Sequence, residues 1–275
     1  MRIDAHQHFW DLELFIYPWM PPHPSPISRT FLPGHLSSIL ERNHFDGSIV
    51  IQATTDKREA DWLLELSEQN AFILGVVGWV NLSDKQVGHT LDRLQKHPKF
   101  KGVRHPVHDE LDDDWLLRAD VISGLKELER RSIPYDLLVR TRHLACIPGL
   151  VEKMPSLPLV IDHIAKPLIR QREFDKWAAA MECIAQLKHV HVKLSGMITE
   201  ADWSLRDASQ LRPYVEHIWS RFGAERCMFG SDWPVCLLAG SWKEALAGLT
   251  QALGPQPQQL RDEVMGATAA RFYKV

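Results

Sequence analysis

Two imidazoles stand two residues apart in His6-Gln7-His8, at the end of the apolar run Arg2–His6. In an extended chain, residues i and i+2 share a face, so both rings can address one point. Two imidazole nitrogens on one face can ligate a single divalent metal. The pair can equally be a hydrogen-bonded couple without a ligand, because the chain holds 14 histidines. Near the other end, Met228-Phe229-Gly230-Ser231-Asp232-Trp233-Pro234 sets a carboxylate after an apolar run and before a turn. Such a carboxylate can be a general base, a metal ligand, or both in turn. The plainer alternative is that Asp232 caps a helix or pairs with a structural Arg, but no helical pattern starts directly behind it. No GxSxG elbow, P-loop or GxGxxG occurs, so neither a serine hydrolase nor a nucleotide cofactor is expected.

These groups need a scaffold that brings both chain ends to one place. Eight short β-branched, apolar runs recur: Arg2–His6, Gly47–Gln52, Ile73–Val80, Lys101–His105, Ile133–Val139, Leu159–His163, Val190–Ser195 and Arg226–Ser231. Helical signals fill the gaps. Asp56 with Glu59 predicts a capping box ahead of Trp62, Leu63 and Leu66. Ser83 with Gln86 predicts a second start, closed by Pro98. Asp207 is expected to cap the segment of Tyr214, Ile218 and Phe222, with Gly223 as its stop. Ser241 with Glu244 repeats the capping box. Strands alternating with helices predict a parallel sheet, and eight such units in 275 residues favour a closed (β/α)₈ barrel over an open sheet. Active sites of such barrels open where strands end, and His6, His8 and Asp232 all fall there. One domain over residues 1–275 is expected, with residues 14–30, rich in Pro and aromatics, as an irregular loop over the barrel mouth. That loop is either a lid or substrate wall, or a packed structural loop.

Composition narrows the class. A net charge of −3 supplies no footprint for nucleic acid. No run of eighteen apolar residues exists to span a membrane, and the N-terminus carries no apolar signal segment. Cys146, Cys183, Cys227 and Cys236 form no CxxC pair, so reduced thiols and a cytoplasmic location are expected.

Placed at the predicted strand ends, His6, His8, His163 and Asp232 resemble the site of the amidohydrolase superfamily. Five phrases narrow the resemblance: Ile3-Asp4-Ala5-His6-Gln7-His8-Phe9-Trp10, Gly102-Val103-Arg104-His105, Asp162-His163-Ile164-Ala165-Lys166-Pro167, Lys193-Leu194-Ser195-Gly196 and Phe229-Gly230-Ser231-Asp232-Trp233-Pro234. They look like the sugar-lactonase branch of L-fuconolactonase and L-rhamnonolactonase type, akin to the 2-pyrone-4,6-dicarboxylate lactonases. Gly266-Ala267-Thr268-Ala269-Ala270-Arg271-Phe272-Tyr273 resembles their last helix, so the likeness runs end to end.

The resemblance implies hydrolysis of a sugar-acid lactone to the open aldonic acid. Asp232 would be the general base and His163 a second catalytic group. His6, His8 and Asp232 would hold one optional divalent metal, zinc or manganese. Arg104, His105, Lys166 and Lys193 would bind substrate oxygens, and Trp10 and Trp233 would be stacking walls. Each has a structural alternative: Arg104 paired with Asp162, His105 and both tryptophans in the core, Lys166 on a loop, Lys193 turned by register. Asp162 and His163 are neighbours, so a regular strand would turn only one of them inward. The departures matter too. Two-metal relatives bridge their ions with a Lys or Glu after strand four or five, where this chain has Arg104-His105 and Arg140. Decarboxylases of the superfamily are expected to place a His near strand five, where only His143 is available. Decarboxylation, dicarboxylate-lactone hydrolysis and a non-catalytic binding barrel stay open as alternatives, and so does the oligomeric state.

Overall fold

A computed structural model describes residues 1–204 and 208–275, and Asp207, the expected cap, lies outside the described residues. Eight parallel strands run in sequence order: β1 (Ile3–Gln7), β2 (Gly47–Ile51), β3 (Ile73–Gly78), β4 (Phe100–His105), β5 (Tyr135–Leu137), β6 (Leu159–Ile161), β7 (Val190–Leu194) and β8 (Cys227–Phe229). Each falls within or one residue beyond an expected run. Around them lie α1 (Pro33–Arg42), α2 (Lys57–Gln69), α3 (Val87–Leu94), α4 (Ala119–Arg130), α5 (Ile147–Lys153), α6 (Asp175–Ala185), α7 (Met197–Glu200), α8 (Arg212–Phe222), α9 (Trp242–Leu253), α10 (Gln258–Asp262) and α11 (Thr268–Tyr273). The architecture is the expected (β/α)₈ barrel.

Two of the expected caps need revision. Ser241 and Glu244 do form the capping box of α9. Asp56 caps α2 through the Arg58 amide, but Glu59 turns away and accepts from the amides of Ala53 and Thr54 at 2.9 and 3.0 Å. Two buried orphan donors of the β2–α2 loop outcompete the exposed cap amide for that carboxylate. Ser83 stays in the preceding turn, bonded to Asn81, and α3 starts four residues later at Val87.

Strand parity separates two apolar layers. The outward residues of the strands pack against the helices, whereas Ile3, Ala5, Ile49, Ile51, Val77, Val160 and Met228 fill the barrel bottom with Phe272 and Tyr273 of α11. In β1 the register slips between Asp4 and Gln7. Ala5 therefore packs inside the barrel, and its neighbour His6 also reaches the interior, as does His8.

The barrel closes where β1 meets the chain leaving β8. The His8 amide donates to Trp233 O at 2.7 Å, and the Asp232 amide donates to His6 O at 2.8 Å. Gly230 makes this approach feasible, since a Cβ there would lie 2.5 Å from the His6 Cβ. Asp4 staples the seam from outside. Its buried carboxylate accepts from the Ser231 amide (2.8 Å), the Ser231 hydroxyl (2.5 Å) and Trp242 Nε1 (2.8 Å). An Asp4→Asn variant turns an NH₂ toward these donors, leaving buried groups unpaired at about 1–3 kcal/mol each. A thermal melt should fall by several degrees, about 2–4 °C per kcal/mol for a chain approaching this size. An unchanged melting temperature would remove the staple from the account.

Candidate active site

The strand ends surround a cavity of about 440 Å³ at the barrel mouth, a volume suited to a small-molecule ligand. His8, Arg104, His163 and Asp232 line its floor. Asp232 Oδ1 lies 3.7 Å from His6 Nε2, 3.3 Å from His8 Nε2 and 3.9 Å from His163 Nε2. His6 Nε2 and His8 Nε2 are 3.2 Å apart.

Backbone strain helps to aim these groups. Asp232 has φ +56°, and His163, Ile164, Ala165 and Lys166 are left-handed in succession. Strand β6 stops at Ile161, so Asp162 and His163 are not held to alternating faces, and both converge on the site. That overturns the expectation that only one of them points inward. Gly196 (φ +59°) leaves the space that the His163 ring occupies, since a Cβ there would lie 2.5 Å from Nδ1. Ser195 Oγ, 2.9 Å from the same nitrogen, fixes the ring.

Beneath the floor runs a buried ion network. Lys193, without solvent exposure, pairs with Asp136 at 2.5 Å and Asp162 at 3.0 Å. The Tyr273 hydroxyl donates to the Asp136 carboxylate at 2.8 Å. Asp162 Oδ1 lies 3.3 Å from His6 Nδ1, and Asp162 Oδ2 lies 3.3 Å from Arg104 Nη1. Arg104 Nη2 also donates to Gln52 O.

Titration follows from these surroundings. Burial alone would raise both site carboxyls. For Asp162 the charges of Lys193, His6 and Arg104 outweigh it, and the carboxyl lies well below the usual range. For Asp232, His163, His8 and His6 do the same. Burial lowers His6 and His8, and brings His163 down to about 4. The rings are therefore neutral near pH 7, the state that offers a lone pair.

That lone pair can be placed. His8 Nδ1 lies 2.8 Å from Ile51 O, which can only accept, so the proton sits on Nδ1 and Nε2 is bare. At His6 Nδ1 the ionised Asp162 and the Lys193 ammonium both stand 3.3 Å away. The ammonium has closer carboxylate partners at 2.5 and 3.0 Å, so Asp162 accepts from the Nδ1 proton and the same tautomer is favoured there. Two bare nitrogens and a carboxylate oxygen thus form a triangle with edges of 3.2, 3.3 and 3.7 Å. A tetrahedral zinc with bonds of about 2.0–2.1 Å has ligand–ligand edges of roughly 3.3 Å. The donor set fits such a cation.

The other expected residues divide. Lys166 lines the cavity, held by Glu200 at 2.6 Å. Lys193 is inward but lies below the cavity, consumed by its two carboxylates. His105 follows inward-facing Arg104 on β4 and therefore points out. It stacks on Trp115 with centroids 4.1 Å apart, bonded by Trp79 and Glu110. Trp10 and Trp233 are core residues packed on Phe31, so neither is a cavity wall. The aromatic wall is Trp19, 40% exposed, whose Nε1 donates to Ala53 O. It belongs to the irregular stretch after β1. His143 is buried in the turn after β5, outside the cavity lining.

Sequence reasoning missed Gln52, His108 and Arg140 as lining residues. Gln52 carried a usable signal, a polar residue closing an apolar strand. Arg140 followed β5 but was weighed only as a missing metal bridge, and His108 sits on a short turn with no pattern.

Residues 3–275 match the amidohydrolase family. An L-fucono-1,5-lactonase of Burkholderia ambifaria is 34% identical, the match spanning 100% of this chain and 96% of that protein. An L-fucono-1,5-lactonase of Burkholderia multivorans is 36% identical over 99% of this chain and 96% of that protein. Among solved structures, a Burkholderia multivorans amidohydrolase with bound zinc superposes with a TM-score of 0.90, at 36% identity, covering 100% of this chain and 99% of that one.

The depressed His163 yields a pH prediction. Its folded value of about 4 lies below the ordinary 6.5, so its contribution to stability is complete above 6.5 and is lost as pH falls toward 4. An NMR titration of chelator-treated protein should place the His163 midpoint near 4. A midpoint near 6.5 would contradict the buried neutral ring.

Proposed function

The chain belongs to the amidohydrolase family, and from that membership we propose that it hydrolyses the lactone of a hydroxylated sugar acid, of the L-fucono- or L-rhamnono-lactone kind. The observation that carries this reading is the set Asp232, His6, His8 and His163 gathered at the floor of a cavity walled by Arg104, Arg140 and Lys166. A sugar lactone presents hydroxyls to be bound and a carbonyl that becomes a carboxylate, and cationic donors suit both.

In the proposed reaction Asp232 takes a proton from water as the water oxygen adds to the carbonyl carbon. Charge moves onto the carbonyl oxygen, where Arg104 donates hydrogen bonds. The ring C–O bond then breaks, and the proton held by Asp232 passes to the leaving ring oxygen. The products are a hydroxyl and a carboxylic acid, which ionises to the carboxylate and releases the second proton of the water to solvent. His163, braced by Ser195, orients Asp232 and the water. A divalent cation held by His6, His8 and Asp232 supplies Lewis-acid polarisation of the carbonyl when bound. Arg104 offers the same electrostatic help without one, which makes the metal optional.

We read residues 1–275 as one domain, with residues 14–30 over the mouth. Trp19 on the cavity wall and the Thr54 hydroxyl bonded to Ile16 O at 3.0 Å support that placement. No described helix is long and apolar enough to cross a membrane. We place the protein in the cytoplasm, where the free thiols of Cys146, Cys183, Cys227 and Cys236 stay reduced.

The test is acid release from a panel of aldonolactones, with and without chelator. One stereochemical group should be hydrolysed, and Asp232→Asn should lower turnover by about a hundredfold to ten-thousandfold. Full activity in that variant would remove Asp232 as the base. A silent panel would remove the lactonase reading.

A further inference from the structure

Three acceptors face one another at the floor of the cavity: His6 Nε2, His8 Nε2 and Asp232 Oδ1, with separations of 3.2, 3.3 and 3.7 Å. With both rings protonated on Nδ1, none of the three carries a hydrogen. Electron-rich atoms at such distances repel unless a cation or a donor stands beside them. One group already does so. Arg104 Nη1 lies 3.3 Å from His6 Nε2. A guanidinium has only donors and keeps its charge, so this contact is attractive only if it uses the His6 lone pair. That lone pair is the one a metal would need.

Other bonds hold Arg104 close to His6. Its side chain is buried, with Nη1 also 3.3 Å from Asp162 Oδ2 and Nη2 bonded to both oxygens of Gln52. A divalent ion at the triangle would therefore lie beside a positive charge among buried side chains, where charges are less screened than in bulk water. The net charge of the ligand set is low as well, with one carboxylate and two neutral rings.

We propose that Arg104 is a built-in competitor of the divalent cation: it caps the His6 lone pair and holds the metal affinity of the His6–His8–Asp232 site low. The inference rests on the metal set named above and goes beyond it. Removing the charge at position 104 should tighten metal binding, although it takes away a site residue. Most substitutions around a metal site weaken it, so the sign is diagnostic.

The test is zinc affinity, measured by competition with a chromogenic chelator, with no turnover involved. Arg104→Met should bind zinc roughly tenfold tighter or more, the scale on which groups around the ligands move affinity. Arg104→Lys keeps a cation and should stay near the parent protein. Equal or weaker binding by Arg104→Met, with zinc still lost in His8→Ala, overturns the inference and leaves the metal set standing. Undiminished binding by His8→Ala overturns the metal set itself, and the inference with it. A second measurement needs no variant. Crystals of the parent protein with zinc should show Arg104 Nη1 withdrawn from His6 Nε2 beyond hydrogen-bond reach, relative to chelator-treated crystals. A contact unchanged at about 3.3 Å with zinc bound overturns the proposal.

Discussion

A fully buried lysine sits at the centre of this barrel. Lys193 reaches into the interior and meets no water, so its charge has to be answered by protein groups. Asp136 and Asp162 supply that answer, one from β5 and one from the end of β6. The rest of the site hangs on this triad. Asp136 is tied to Tyr273 of the terminal helix, which plugs the barrel bottom. Asp162, kept ionised, faces His6 and Arg104. A charge that is costly to bury thus links the bottom of the barrel to the reactive groups above it. Removing one member would leave uncompensated charge in a water-free interior, which is why such networks hold geometry strictly.

The second constraint is the closing seam. In a barrel of parallel strands, the first and last must meet, and here their last bonds run through His6, His8, Asp232 and Trp233. The backbone bonds that complete the fold also set the separation of the metal-binding triangle. Much of the backbone strain lies in the same region: left-handed conformations at Asp232 and at residues 163–166, and the close approaches at Gly196 and Gly230. Such strain persists only where the surroundings over-determine it, as Asp4 and Ser195 do here. Above the floor the design is looser. The walls come from loops: Trp19 after β1, His108 after β4, Arg140 after β5 and Lys166 after β6. A floor built at the strand ends, with walls from loops, separates the reaction from the choice of substrate.

Much of this was legible in the residues. Eight apolar runs separated by helical signals determined a parallel barrel, because burial on both faces and crossover connections leave few alternatives. The HxH of strand one and the Asp after strand eight are local patterns, and strand ends in a barrel point to one place. Parity on β4 and β7 similarly follows from a period of two: once Arg104 is inward, His105 is outward. What the sequence could not decide depends on contacts between distant segments. A register slip in β1 turns both Ala5 and His6 inward, and a left-handed turn brings Asp162 and His163 together. Neither leaves a local trace. Glu59 abandons its cap because two amides of a neighbouring loop need it more. Trp19, rather than Trp10 or Trp233, forms the wall because the path of the loop after β1 decides which indole meets the cavity. The sequence by itself determined the barrel and the types of its reactive groups, since periodicity and side-chain chemistry are local. Tertiary structure alone decided their separations, their protonation and the place of Arg104 at the His6 lone pair, because those are set by charges and carbonyls far apart in the chain.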